Sequence, residues 1–260
     1  MSTILDSIVA DTRLRVNFER TIRPINEVME GSRVRPRRTG FPFERTLESE
    51  GMSLICEVKK ASPSKGVISE DFPYLDIARE YASAGASAIS VLTEPKYFRG
   101  DDRFLEEIAD SVDTPILRKD FVIDEYQIYR AREIGASAVL LIASILNDVQ
   151  LSDYRELAES LGMSALVETH TREEVERAVS SGAGIIGVNN RDLSTFHVDI
   201  GNSLRLRDCI PDGVVCVSES GISGSEDVRM LADAGFDAVL VGEAFMRSPD
   251  RRALMEAMRS

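Results

Sequence analysis

The chain has 260 residues, a formal net charge of -13, 43% hydrophobic residues and three cysteines. That length suits two small domains or one (β/α)8 barrel of about 250 residues. The acidic balance excludes nucleic-acid binding by the whole surface, because phosphate contacts need a basic face, and no apolar run approaches the roughly 20 residues of a membrane-spanning helix. Cys56, Cys209 and Cys216 are odd in number and lack CxxC spacing, which argues for a reducing compartment and against a disulfide framework or zinc site. The opening MSTILDSIVADTRLR carries acids early and no cleavable apolar segment, so a cytoplasmic location is expected.

Residues 3–30 show loose helical periodicity (Ile4, Ile8, Val9, then Ile25, Val28, Met29), interrupted at Pro24. The stretch GSRVRPRRTGFPFERT at 31–46 has two prolines and no period. It reads as a basic linker, so residues 1–45 are expected to form a helical extension packed on a main domain of residues 46–260. From Leu54 onward a phrase recurs: AGASAISVL, IGASAVLLI, SGAGIIGVN and AGFDAVLVG, with glycines at 85, 135, 182 and 235. Each glycine fits a helix C-cap followed at once by a buried strand. A spacing of about fifty residues is too long for one strand-helix unit and right for two. The missing strands lie midway, in LICEV, TPILRKD, MSALVETH and GVVCVSESG. Eight strands alternating with helices close into a (β/α)8 TIM barrel without exposed edges. An open doubly wound sheet is the alternative, but it usually carries a Gly-rich fingerprint after its first strand, and neither GxGxxG nor GxxxxGK[ST] occurs.

The five lysines, Lys59, Lys60, Lys65, Lys96 and Lys119, all lie between positions 59 and 119, among 31 basic residues in total. Lysine can lose its proton where arginine cannot, which points to proton chemistry at Lys59 and Lys119. Base-composition bias explains Lys65 and Lys96 equally well, and an acidic, lysine-poor surface also suits a high-salt, halophilic cytoplasm.

In this fold the chemistry sits at the C-terminal strand ends. Those ends carry Glu57 and Lys59, Thr93 and Glu94, Lys119, Ala143 and Ser144, Glu168, Asn189 and Arg191, Glu219 and Ser220, and Gly242. Glu57 and Lys59 are two apart in LICEVKKASPSKG, so in a strand they share a side, with Val58 opposite. One charged strand end is commonly an ion-paired surface group. Five ionisable residues converging from odd-numbered strands form a constellation suited to proton transfer. His170 and His197 read as loop residues, and no ligand cluster calls for a metal. The turns SESGIS and VGEAFM after strands seven and eight suit phosphate binding through backbone N–H groups.

Taken together, EVKKASPSKG, LTEPKYFRG, ILRKDF, NNRDL, SESGI and VGEAFM, in this order and spacing, resemble indole-3-glycerol phosphate synthase of tryptophan biosynthesis. The resemblance runs from about Leu54 to the C-terminus, and the helical extension also fits. It implies ring closure of 1-(2-carboxyphenylamino)-1-deoxyribulose 5-phosphate to indole-3-glycerol phosphate, with loss of CO2 and water and without a cofactor or metal. It also implies a general acid at Lys119, a carboxylate serving dehydration at Glu168, and an orienting pair at Glu57 and Lys59. Asn189, Arg191, Glu219 and Ser220 would bind the hydroxyls and the anthranilate part. Ser62, Gly221, Gly242 and Glu243 would bind phosphate, with Phe98 and Phe121 flanking the aromatic ring. The partner expected is a small phosphorylated substrate, with no nucleic acid and no membrane. A monomer able to associate with other tryptophan-pathway enzymes is expected. The rival readings are a Schiff-base sugar-phosphate aldolase using Lys119 as nucleophile and a non-catalytic phosphate-ligand-binding barrel.

Overall fold

The computed structural model describes residues 3–35, 40–192 and 195–259. Eight parallel strands form a closed barrel: β1 Ser53–Val58, β2 Ala88–Leu92, β3 Ile116–Lys119, β4 Ala138–Ile142, β5 Ser164–Thr169, β6 Ile185–Asn189, β7 Val215–Glu219 and β8 Ala238–Val241. Each pairs with its neighbours in the chain, and β8 closes on β1 in the register Ser53 to Ala238 through Cys56 to Val241. All eight expected strands are present, and Gly85, Gly135, Gly182 and Gly235 take φ between 81° and 98° where the preceding helices end. Only glycine enters that region without steric cost.

Strand alternation divides the core into two layers. Ile55, Leu117, Leu166 and Val217 face into the barrel and pack with Leu140, Ile185 and Leu240. Leu54, Cys56, Val58, Val139, Val167 and Val239 face outward into the helix layer. Two residues beyond the inward set on the same odd strands stand Glu57, Lys119, Glu168 and Glu219. The apolar interior therefore ends in a charged layer at the C-terminal mouth.

The helices α1 Ile4–Ile22, α2 Ile25–Val34 and α3 Pro42–Leu47 precede the barrel. In α1, Thr3 and Asp6 form a reciprocal capping box. Val16 and Val28 pack with Tyr126 of α6 (Glu125–Ile134), attaching α1 and α2 to the outside of the barrel. Phe43 and Leu47 of α3 enter the inner core beside the strand beginnings, where Ser53 Oγ donates to Thr46 O at 3.0 Å. The stretch 31–46 thus differs from an unstructured linker. Its start completes α2 and its end forms α3, because Phe43 and Leu47, four apart, supply an apolar face that the barrel floor buries. Residues 36–39 of the expected linker lie outside the described residues.

The remaining helices, α4 Tyr74–Ser83, α5 Asp102–Ser111, α7 Asp148–Ser160, α8 Arg172–Ser180, α9 Gly201–Leu206, α10 Ser225–Asp233, α11 Glu243–Arg247 and α12 Arg251–Arg259, complete the structure. Among the described residues no helix is long and apolar enough to cross a membrane.

Candidate active site

The mouth encloses a cavity of about 910 Å³. Of the candidates named above, Glu57, Lys59, Ser62, Phe98, Lys119, Phe121, Glu168, Asn189, Arg191, Glu219, Ser220, Gly221, Gly242 and Glu243 line it, while the strand ends Thr93, Glu94, Ala143 and Ser144 are not in its wall. The extension contributes Ile4, Leu5 and Ile8 of α1 to the same wall.

Lys119 is the centre. Its ammonium donates to Glu168 Oε2 at 2.8 Å and to Glu219 Oε2 at 2.7 Å. Burial disfavours this ammonium, but the carboxylates of Glu168, Glu219 and Glu57 outweigh it and hold the lysine well above its ordinary range. Beside it, Lys59 donates to Glu57 Oε1 in a closely held ion pair.

The two carboxylates on Lys119 are unequal. Burial raises both, yet Glu168 also faces His170 and the side chain of Asn189, and it ends below the ordinary glutamate range. Glu219 is pushed up, because burial and the neighbouring Glu168 exceed the pull of Lys119. Its Oε1 is buried without a hydrogen-bond partner among the described residues, in space that exists because residue 187 is glycine: a Cβ there would collide with that oxygen. A Cβ at Gly242 would likewise strike Glu57 Oε1. Such a pair of acids with separated affinities for a proton, bridged by one ammonium, is equipped for general acid-base work.

The sequence LRKDF explains how Lys119 is aimed. Alternation sends Lys119 inward and Arg118 and Asp120 outward, and Arg118 is fully buried. Its guanidinium donates to Thr93 Oγ1 at 3.1 Å, Gln127 O at 2.9 Å, Asp102 at 2.8 Å and Asp120 at 3.2 Å. Asp120 accepts from the Phe121 N–H at 2.9 Å and twice from Arg15 of α1, both at 2.9 Å. Neither Arg15 nor Asp120 was a sequence candidate, since their partnership spans 105 residues.

Phe98 and Phe121 face each other with ring centroids 6.1 Å apart. Glu94, one of the charged strand ends, is a loop cap instead: it accepts the N–H groups of Lys96, Tyr97 and Phe98. Arg191 reaches across the mouth to Ser64 Oγ at 3.5 Å. Glu243 pairs with Lys65 at 3.5 Å and Arg247 at 3.1 Å. Ser220 and Gly221 both have positive φ, 66° and 83°, a turn that exposes their backbone at the cavity. His197 lies in the loop that follows β6. His170, expected as a bland loop residue, is instead largely buried beside Glu168. Among the described residues no cluster of His, Cys, Asp or Glu is arranged to hold a metal ion.

Fold and site define a (β/α)8-barrel protein with a lysine-carboxylate cluster at its mouth. Solved structures with the same architecture include 3-hexulose-6-phosphate synthase, at a TM-score of 0.66 and 15% identity over 80% of this chain and 98% of that one. At that identity the likeness is one of fold. Closer comparison comes from the sequence. The family model for indole-3-glycerol phosphate synthase matches residues 5–258. Proteins of that name from Lacticaseibacillus paracasei and Ruminiclostridium cellulolyticum are 52% identical over 256 residues and 48% identical over 257 residues, each alignment covering 98% of both chains. This chain belongs to the indole-3-glycerol phosphate synthase family.

Proposed function

We propose that the protein converts 1-(2-carboxyphenylamino)-1-deoxyribulose 5-phosphate to indole-3-glycerol phosphate, CO2 and water. Family membership supports this reaction, and the observation that carries the site assignment is the Lys119 ammonium held between Glu168 and Glu219. Lys119 donates its proton to the substrate's ketone oxygen as the aromatic carbon bearing the carboxylate attacks the carbonyl carbon. The new carbon-carbon bond closes the ring, and breakage of the bond to the carboxyl group releases CO2 and returns the ring to aromaticity. Loss of the resulting hydroxyl as water, with a proton from the neighbouring position, gives the indole; Glu168 serves this step. Glu57 and Lys59 orient the substrate, Lys59 near its carboxylate. Asn189, Arg191, Glu219 and Ser220 hold the hydroxyls and the anthranilate part. Ser62, Gly221, Gly242 and Glu243 hold the phosphate, Glu243 by its backbone because its carboxylate is already paired with Lys65 and Arg247. Phe98 and Phe121 flank the aromatic ring. None of these steps calls for a cofactor.

The aldolase reading requires a neutral lysine nucleophile, and three carboxylates around Lys119 keep it protonated. A non-catalytic binder has no use for a buried ammonium between two buried acids. We place the protein in the cytoplasm as a monomer, free to associate with other enzymes of the pathway, and assign its acidic, lysine-poor surface to a salt-rich interior.

The test is to incubate the purified protein with the substrate in chelator-treated buffer and follow indole fluorescence, which no tryptophan in the chain obscures. Rising fluorescence with stoichiometric CO2 supports the reaction. Silence from folded protein, with borohydride trapping of substrate on Lys119, would replace it with the aldolase.

A further inference from the structure

His170 follows Glu168 by two residues at the end of β5, so the extended backbone turns both side chains to one side. Its backbone is held from two neighbouring helices, and its ring faces the carboxylate of one of them. Glu174 of α8 accepts the His170 N–H at 2.7 Å and places Oε2 3.4 Å from Nδ1. Asn202 of α9 donates to the His170 carbonyl at 3.1 Å. At the other end of the ring, Nε2 lies 3.7 Å from Glu168 Oε1, and it is buried with no hydrogen-bond partner among the described residues.

A neutral imidazole carries one N–H and one lone pair. Here each ring nitrogen faces a carboxylate oxygen, so either neutral tautomer would aim a lone pair at a negative charge. Only the imidazolium presents a donor to both. The charged groups around the ring agree: Glu174 from α8, Glu168 from β5 and, farther off, Glu219 from β7 are all acidic, while Lys119 is engaged at the opposite oxygen of Glu168. Burial alone would favour the neutral ring, but these acids outweigh it and raise the proton affinity of His170.

We propose that His170 is an imidazolium at neutral pH and acts as a positioning residue, holding the second oxygen of Glu168 while Lys119 holds the first. This rests on the reading of Glu168 given above. When the Lys119 ammonium delivers its proton to the ketone oxygen it becomes a neutral amine, and Glu168 loses that cation. His170 then keeps the carboxylate ionised and aimed for the dehydration that follows. The role depends on charge as well as shape, because an uncharged donor aligns Glu168 without supporting its negative charge.

Two measurements on the full chain test it. The first is 15N NMR of histidine-labelled protein through a pH titration. The chain has two histidines, so a His197→Gln variant assigns the signals. Both ring nitrogens of His170 are expected to stay protonated through neutral pH and to titrate above the ordinary histidine range, because Glu174 and Glu168 favour the charged ring. A neutral ring at pH 7 overturns the proposal.

The second measurement compares His170→Asn, whose amide replaces Nδ1, with His170→Gln, whose amide reaches the Nε2 position. Both are expected to fold and to lose kcat about tenfold with little change in KM; the wild type, and neither variant, should lose kcat as pH rises through the titration of His170. The Gln variant should retain more activity. Wild-type kcat and pH profile in both variants, with only Tm lowered, would leave His170 merely structural. If neither variant folds, the NMR titration of the wild type decides alone. If the wild type makes no indole product, the reaction assignment fails, while the titration still reports the charge on His170.

Discussion

At residue 187 the absence of a side chain gives Glu219 its place, since a Cβ would collide with Oε1. Gly187→Ala should therefore leave the barrel folded but push the carboxylate off Lys119. A displacement near 1 Å at a reacting group costs on the order of 100-fold, so steady-state kinetics should show kcat reduced by about that factor with a smaller change in KM. Unchanged kcat would mean that the Glu219 to Lys119 contact is dispensable. Glu219 also has a stability signature. Its folded proton affinity is raised above the unfolded value of 4.5, chiefly by burial, so between that pH and its folded pKa the native state binds more protons than the unfolded one. Stability then falls as pH rises through this window. Glu219→Gln should flatten that decline in a series of thermal melts; a decline equally steep in the variant would contradict the assigned cause.

The element that connects the extension to the chemistry is α1. Arg15 makes two 2.9 Å hydrogen bonds to the buried Asp120, and Arg20 makes the same kind of forked contact with Asp124 at 2.8 and 2.7 Å. Hydrogen bonds to charged groups contribute roughly 1.5–3 kcal/mol. Arg118 continues to neutralise Asp120 when Arg15 is removed. Arg15→Ala should therefore cost about 2 kcal/mol in urea unfolding of the full chain, near the lower part of that range. A cost near zero would show that the contact is replaced by water. Ile4, Leu5 and Ile8 line the cavity from the same helix, and we propose that α1 covers the mouth. A barrel lacking residues 1 to 45 should bind the substrate poorly, read as a raised KM; an unchanged KM would remove this role from the extension.

On the scale of the whole molecule, the parts legible in the sequence were those set by short periods. Glycine-capped helices followed by apolar runs revealed the eight strands. Alternation by two then put Glu57 and Lys59 together and carried Lys119, Glu168 and Glu219 to one face. The ion pairs that aim those residues were not legible, because Arg118 joins Asp102 and Gln127 across intervening turns and Arg15 meets Asp120 only after α1 docks. The stretch 31–46 misled in the same way: α3 owes its helix to burial of Phe43 and Leu47 beneath the barrel, a tertiary effect that local composition does not encode. His170 offered a local clue, its spacing of two from Glu168, but a loop histidine has no partner until α8 brings Glu174 to its other nitrogen. The central claim is that the Lys119 ammonium supplies the proton for ring closure. The measurement that tests it most directly is kcat of Lys119→Ala by indole fluorescence, on protein whose circular dichroism matches wild type. The account predicts a loss of at least about 100-fold, the scale of one general acid, and turnover within a few-fold of wild type would contradict it.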